Sequence, residues 1–270
     1  MRIVDLSTPV DATKWEPDPI THQVLSPAEG ARHMAKAMAE EFGVHFDPAD
    51  LPNGELLSLD TITLTTHTGT HIDAPSHYGS TADYGRPRHI DELPLEWFIG
   101  AGVVLDISDA PTGAVGPAVL EREFSRIGYR PQEADIVLLH TGADARAGTP
   151  QYFTDFVGLD RAATALLLDL GVRVIGTDAF SLDAPFGDML RRYQDTGDRS
   201  VLWPSHFLGR EREYCQIERL ANLAALPSTG FIVSCLPVRI AGAGAGWSRA
   251  VAFMDQPFAP TGPAVQGETR

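Results

Sequence analysis

Short apolar runs and amphipathic stretches follow one another along the whole chain. "RIVDLS" at residues 2–7 is β-branched and alternates, the pattern of a strand with one buried face. "TPVDATKWEPDPITHQV" then reads as a Pro-rich loop. "SPAEGARHMAKAMAEEFG" predicts a helix, with Ser26 as N-cap, Pro27 in the first helical position and Gly43 as the stop. "SLDTITLTTHTGTHIDAP" is rich in Thr and Ile and alternates, so one long strand is expected there. A short helix or turn is expected around Leu93–Phe98. "AGVVLDIS", "ADIVLLHTG" and "VRVIGTDAF" are apolar runs bounded by turn residues, hence buried strands. "GPAVLEREFSRIG" and "LDRAATALLLDLG" lie between them as helices. "EREYCQIERLANL" predicts a short strand or helix, "ALPSTGFIVSCLPVRI" a strand, and "AGAGAGWSRAVAFM" a Gly-rich flexible turn before a last strand. Helices and strands intermix without repeat or linker. The expected fold is therefore α/β, a single compact domain with a mixed sheet over residues 1–254, followed by a flexible tail over 255–270.

Charge and composition narrow the function classes. The chain has 270 residues, with 21 Lys and Arg against 36 Asp and Glu, a formal charge of −15. Such a surface repels phosphate backbones, which argues against nucleic acid. No basic amphipathic helix and no run of spanning length argue for a membrane. Cys215 and Cys235 form no CxxC pair, and "MRIVDLSTPV" meets Asp5 too early for a signal peptide, so a cytoplasmic location is expected.

One segment carries the chemistry. "HTGTHIDAPSH" packs His67, His71, Asp73 and His77 into eleven positions, all odd-numbered. On a strand all four face one way, and Ile62, Leu64 and Ile72 face an apolar core on the other side. Pro75 ends the regular strand before His77. Imidazole and carboxylate are ligands of zinc, manganese or iron, and Gly69 between them leaves room for an ion. Without a metal, burying this set requires a partner for every ring nitrogen and carboxylate oxygen. By contrast His22, His33, His45 and His89 read as surface or hydrogen-bonded histidines, and His140 as a packed one. Asp178 and Asp183 in "TDAFSLD" read mainly as turn formers. Phe180, Phe186 and Trp203 suit either an apolar substrate pocket or ordinary core. Arg239 and Arg249 are assigned to structural ion pairs.

The segment matches His-x-Gly-Thr-His-x-Asp-x-Pro-x-His in full, and the chain resembles the metal-dependent cyclase family. That family includes bacterial kynurenine formamidase, isatin hydrolase and cyclases of aromatic polyketide pathways. "VDLSTPV", "LLHTG", "LLLDLGVRVIGTDAFSLD" and "ERLANLAALP" extend the likeness from about residue 2 to 254. The resemblance implies a mixed, β-barrel-like central sheet flanked by helices, assembled as homodimers or homotetramers. It implies His67, His71 and Asp73 as first metal ligands, with His206 and Glu218 completing one zinc or manganese site or holding a second ion. His77 matches the general acid/base, and Trp15 an aromatic substrate contact. Compared with the short formamidases, the chain adds the helix at 26–43 and a longer insert around His206.

A divalent ion lowers the pKa of its bound water from about 15.7 towards roughly 7 and polarises carbonyls. A histidine with a pKa near 6.5 moves protons in the same range. Two reactions use those parts. The long form resembles the polyketide-pathway members, which puts ring closure of an aromatic polyketide-like substrate first. Hydrolysis of an arylformamide or cyclic amide is the alternative, and a catalytically silent metal-binding homologue a third reading. "AGAGAGW" precedes a strand rather than a helix, so it is no phosphate-binding loop.

Overall fold

The structure, a computed structural model, describes residues 2–254. The expected tail at 255–270 lies outside the described residues. The chain forms two compact units, Met1–Val10 with Thr66–Arg270, and Asp11–Thr65. In chain order the strands are β1 Arg2–Asp5, β2 Thr21–Leu25, β3 Leu59–Thr63, β4 His71–Asp73, β5 Ile99–Asp106, β6 Gly113–Val115, β7 Ile136–His140, β8 Val157–Leu159, β9 Val174–Thr177, β10 Cys215–Glu218, β11 Phe231–Ser234, β12 Ala245–Trp247 and β13 Val251–Met254. The helices are α1 Pro27–Phe42, α2 Pro75–Tyr78, α3 Pro117–Ile127, α4 Pro150–Thr154, α5 Arg161–Asp169, α6 Phe186–Thr196 and α7 Pro204–Leu208.

The larger unit is built on a nine-stranded mixed sheet in the order β1-β13-β11-β5-β7-β9-β10-β4-β12, curled into a half-barrel. Its centre, β5-β7-β9-β10, is parallel. Parallel neighbours need long crossovers, and the segments containing α3, α5 and α6–α7 supply them. This explains why the central strands read as continuous apolar runs: both faces are covered. Val104, Ile136, Leu138, Val174 and Ile217 enter one apolar cluster. Their neighbours Val103, Leu105, Val137, Leu139 and Ile175 enter a second, with Leu120 and Phe124 of α3 and Leu167 of α5. Each fully buried aliphatic side chain contributes roughly 1.5–3 kcal/mol.

The smaller unit pairs β2 with β3 in an antiparallel ribbon, Thr21 opposite Thr63 and Leu25 opposite Leu59. Helix α1 forms as its end signals predict. Ser26 Oγ accepts from the Glu29 N–H, and the Glu29 carboxylate accepts from the Ser26 N–H at 2.8 Å, while Gly43 closes the helix at φ +65°.

Three expectations change. The Pro-rich loop contains β2, whose pairing comes from β3 and not from its own pattern. The long strand at 58–75 is two strands, β3 and β4, joined by a turn, and Ile62 is 47% exposed instead of facing a core. The glycine-rich run is not merely a flexible turn, because β12 pairs along β4 as the sheet edge.

Gly102 of β5 lies opposite Phe231 of β11, and a Cβ built on it would sit 2.0 Å from the phenyl ring. Gly102→Ala therefore overpacks the sheet. The expected loss is about 1–3 kcal/mol of stability, read as a lowered midpoint in thermal or urea unfolding. An unchanged midpoint would show that the Phe231 ring yields freely.

Candidate metal centre

Strand β4 lies between β10 and the edge strand β12, and its register with β10 sets the first part of the site. Asp73 is opposite Gln216, Ile72 opposite Ile217, and His71 opposite Glu218. Alternation sends Ile72 and Ile217 into one apolar cluster. It puts His71, Asp73 and Glu218 together on the other face. His71 and Asp73 thus share one face, as their alternation predicts. His67 and His77 lie outside that strand and reach the site by other means. His67 sits in the turn before β4, where Gly69 adopts φ +69°. That left-handed conformation is what glycine is needed for, in place of the expected space for an ion. His77 is carried by α2, a single turn entered through Pro75.

Around Asp73 the nitrogens converge. Its Oδ1 lies 3.0 Å from His67 Nδ1 and 3.3 Å from His71 Nε2. These two nitrogens are 3.1 Å apart. His71 Nδ1 lies 2.9 Å from the Gly69 carbonyl, which can only accept, so the hydrogen is on Nδ1 and Nε2 is turned to Asp73. His206 Nε2 is 3.8 Å from Asp73 Oδ2 and 3.8 Å from Glu218 Oε1, and His71 Nε2 is 3.7 Å from Glu218 Oε2. The His77 ring packs against His67 at 4.2 Å and His206 at 5.5 Å between centroids. His77 itself is exposed.

The Asp73 carboxylate tests whether these residues fit a cation. It is 0% exposed, and among the described residues neither oxygen accepts a hydrogen bond. A buried charge left that way costs several kcal/mol. Two groups, His67–Asp73–His77 and His71–Asp73–Glu218, each bring ligand atoms within 4.8 Å of one another and share that carboxylate. Imidazole and carboxylate donors at this spacing fit a divalent ion.

The carboxylates and imidazoles shift one another. Burial pushes Asp73 up, but the imidazoles of His77, His71 and His67 hold it well below the ordinary carboxylate range. Burial and the Asp73 charge raise Glu218. For His206, burial disfavours the charged ring, yet the hydrogen bond and charge of Asp183, with Glu218 and Asp73, raise it to about 9. Desolvation pushes His77 down to about 4, with the rings of His67, His206 and His71 opposing its charge and Asp73 favouring it.

Sequence reading missed three positioning groups. Asp183 is no turn former: it is fully buried, 2.5 Å from His206 Nδ1. Ser181 donates to Glu218. Arg219, 3% exposed at φ +64°, donates to the His67 carbonyl at 3.1 Å while its own carbonyl accepts from Thr70 Oγ1 at 2.5 Å, tying the His67 turn to β10. No spacing rule points to any of them, because each acts across more than 20 residues of chain.

The remaining candidates fall as follows. Phe180, Phe186 and Trp203 are half-buried and continue an edge-to-face series with Phe153, at 4.9 Å from Phe180 to Phe153, 5.4 Å from Phe153 to Phe186 and 5.4 Å from Phe186 to Trp203. Phe180 directly precedes Ser181, and Trp203 stands three residues before His206. Trp15 belongs to the smaller unit, 38% exposed. Asp178 accepts from Thr141 and Gly142 and braces the ends of β7 and β9. His140 pairs with Asp106, His22 with Asp60 and His89 with Ser76, and Arg249 forms an ion pair with Asp5.

Comparison with known proteins agrees with this geometry. Residues 4–184 match the family described as "Putative cyclase". The chain is 26% identical over 201 residues to cyclase-like protein 2 of Arabidopsis thaliana, covering 72% of this chain and 65% of that protein. It is 27% identical over 195 residues to a kynurenine formamidase of Salinibacter ruber, covering 72% of this chain and 79% of the relative. Among solved structures, its fold is similar to isatin hydrolase A of Labrenzia aggregata, with a TM-score of 0.70, 23% identity and 94% of each chain covered. The match to the first of these relatives thus spans just under two thirds of that protein's length. With the family match covering most of the chain, and His67, His71 and His77 gathered around the buried Asp73, this protein belongs to the putative cyclase family.

Proposed function

We propose that this protein is a divalent-metal-dependent hydrolase of an aryl amide, either an arylformamide or a cyclic aryl amide. The observation that carries the reading is the Asp73 carboxylate, fully buried, without a hydrogen bond among the described residues, and facing imidazole nitrogens. The similarity to a kynurenine formamidase and to the fold of an isatin hydrolase supports amide hydrolysis. Hydrolysis therefore takes first place over ring closure of a polyketide, since no relative named above carries a polyketide in its name.

His67, His71 and Asp73 would hold the ion, and Glu218 and His206 would complete its donors or take a second ion at Asp73. Zinc and manganese both suit this donor set. When bound, such an ion lowers the pKa of a water and polarises a carbonyl oxygen. His77, beside His67 and open to solvent, accepts a proton from the attacking water. It returns that proton to the nitrogen as the C–N bond breaks. The aromatic series Phe180–Phe186–Trp203 supports a planar aryl substrate, and assembly as a homodimer or homotetramer belongs to the same reading. Both cysteines are buried and free, which supports a reducing, cytoplasmic setting.

Two outcomes are expected. His77→Ala lowers kcat by roughly 10²–10⁴-fold while the protein largely keeps its metal through His71, Asp73 and Glu218, measured by steady-state kinetics beside elemental analysis. A variant with full turnover removes His77 from the chemistry, and a wild-type protein that holds metal but turns nothing over supports the silent homologue. In a substrate panel, N-formylkynurenine or isatin is hydrolysed by the metal-loaded protein. A chelator stops that turnover, and zinc or manganese restores it. Turnover of a polyketide intermediate alone would restore ring closure to first place.

A further inference from the structure

We propose that Ser181, Leu182 and Asp183, in the connection after β9, form a positioning segment that selects which atom of Glu218 and which atom of His206 is offered to the ion. The inference rests on the metal-dependent reading above. Glu218 and His206 come from separate elements, β10 and α7, yet both are held by this one tripeptide. All three residues of the segment are buried, at 1%, 0% and 0% exposed.

Asp183 collects three donors. Its Oδ1 accepts from the Ser205 N–H at 2.6 Å. Its Oδ2 accepts from the His206 N–H at 3.2 Å and lies 2.5 Å from His206 Nδ1. With Nδ1 turned to this carboxylate oxygen as donor, Nε2 is the ring atom that can give up its hydrogen to bind an ion. That nitrogen is the one facing Asp73 and Glu218. Ser181 Oγ and the Leu182 N–H both donate to Glu218 Oε1, at 3.0 Å each. Both bonds fall on the same oxygen, which leaves Oε2, the atom nearest His71 Nε2, for the ion.

The segment is itself fixed from behind. The Leu159 N–H donates to the Leu182 carbonyl at 2.8 Å, and a Cβ on Gly158 would lie 2.3 Å from the Asp183 carbonyl group. Strand β8 thus presses on the backbone of the segment, and the segment passes that rigidity to two side chains twelve residues apart. Orienting groups of this kind typically govern metal affinity by about 10–100-fold.

The test is a double-mutant cycle read as metal affinity, by competition with a chromophoric chelator, so that turnover is not needed. Asp183→Ala is expected to weaken zinc or manganese binding by about 10–100-fold, and Ser181→Ala by a smaller factor. In a His206→Ala background, Asp183→Ala should add no further loss, because its effect runs through that ring. Asp183→Asn keeps the volume but turns an amide donor towards the other donors, so it should weaken binding too, and it carries the test if the alanine variant does not fold. Thermal melts of the metal-stripped proteins identify folded variants. Unchanged affinity in Asp183→Asn and Ser181→Ala, or an equal loss with and without His206, overturns the proposal. A wild-type protein that binds no divalent ion overturns the metal-dependent reading itself.

Discussion

The charge of Asp73 is the constraint around which this centre is arranged. The carboxylate sits on β4 between β10 and β12, fully buried, and none of the described residues donates a hydrogen bond to it. Left alone in such surroundings a carboxylate costs several kcal/mol and tends to protonate. Here the imidazoles around it keep it ionised. Its two oxygens, which accept no hydrogen bond and lie 3.0–3.8 Å from the ring nitrogens of His67, His71 and His206, form a donor set that a cation would satisfy. Everything nearby is organised to keep that convergence intact: the hydrogen on His71 Nδ1, the Asp183 carboxylate behind His206, and the Arg219 link to the His67 turn.

The parallel centre of the sheet makes that arrangement affordable. Its apolar residues fill both faces, and the ends of β7, β9 and β10 carry the polar groups: Thr141, Asp178, Ser181, Glu218 and Arg219 all lie at or just after them. Connections after the carboxyl ends of parallel strands are where α/β folds gather binding groups, since strands fix the starting points and loops supply the variation. The buried Asp178 with its donors from Thr141 and Gly142 ties two of those ends together. The ligand-bearing face is thus an extension of the core, with the second apolar cluster running up to Tyr78 and Tyr214 beneath His206.

Much of the fold was legible because its signals are local. Ser26, Pro27 and Gly43 define α1 through caps made within a few residues. The apolar runs of β5, β7 and β9 announce themselves because strands buried on both faces have no polar positions to alternate. Signals failed where a neighbour decided the outcome. β2 lies in a stretch rich in proline and charge and is a strand because β3 pairs with it. β12 is glycine-rich and is a strand because β4 offers an edge. The long strand expected through residues 58–75 is interrupted after Thr63 by a turn that includes Gly69 at positive φ, which period-two counting does not register.

The amino-acid sequence alone determined the ligand types, their crowding into residues 67–77, and the shared face of His71 and Asp73, because side-chain alternation is a property of one extended strand. Tertiary structure alone decided that Glu218 stands opposite His71, that α7 returns His206 to the same point, and that Ser181 and Asp183 hold them. Those relations depend on strand register and on hydrogen bonds spanning 23–37 residues, which are set by the burial of the whole sheet and leave no periodic trace in the chain.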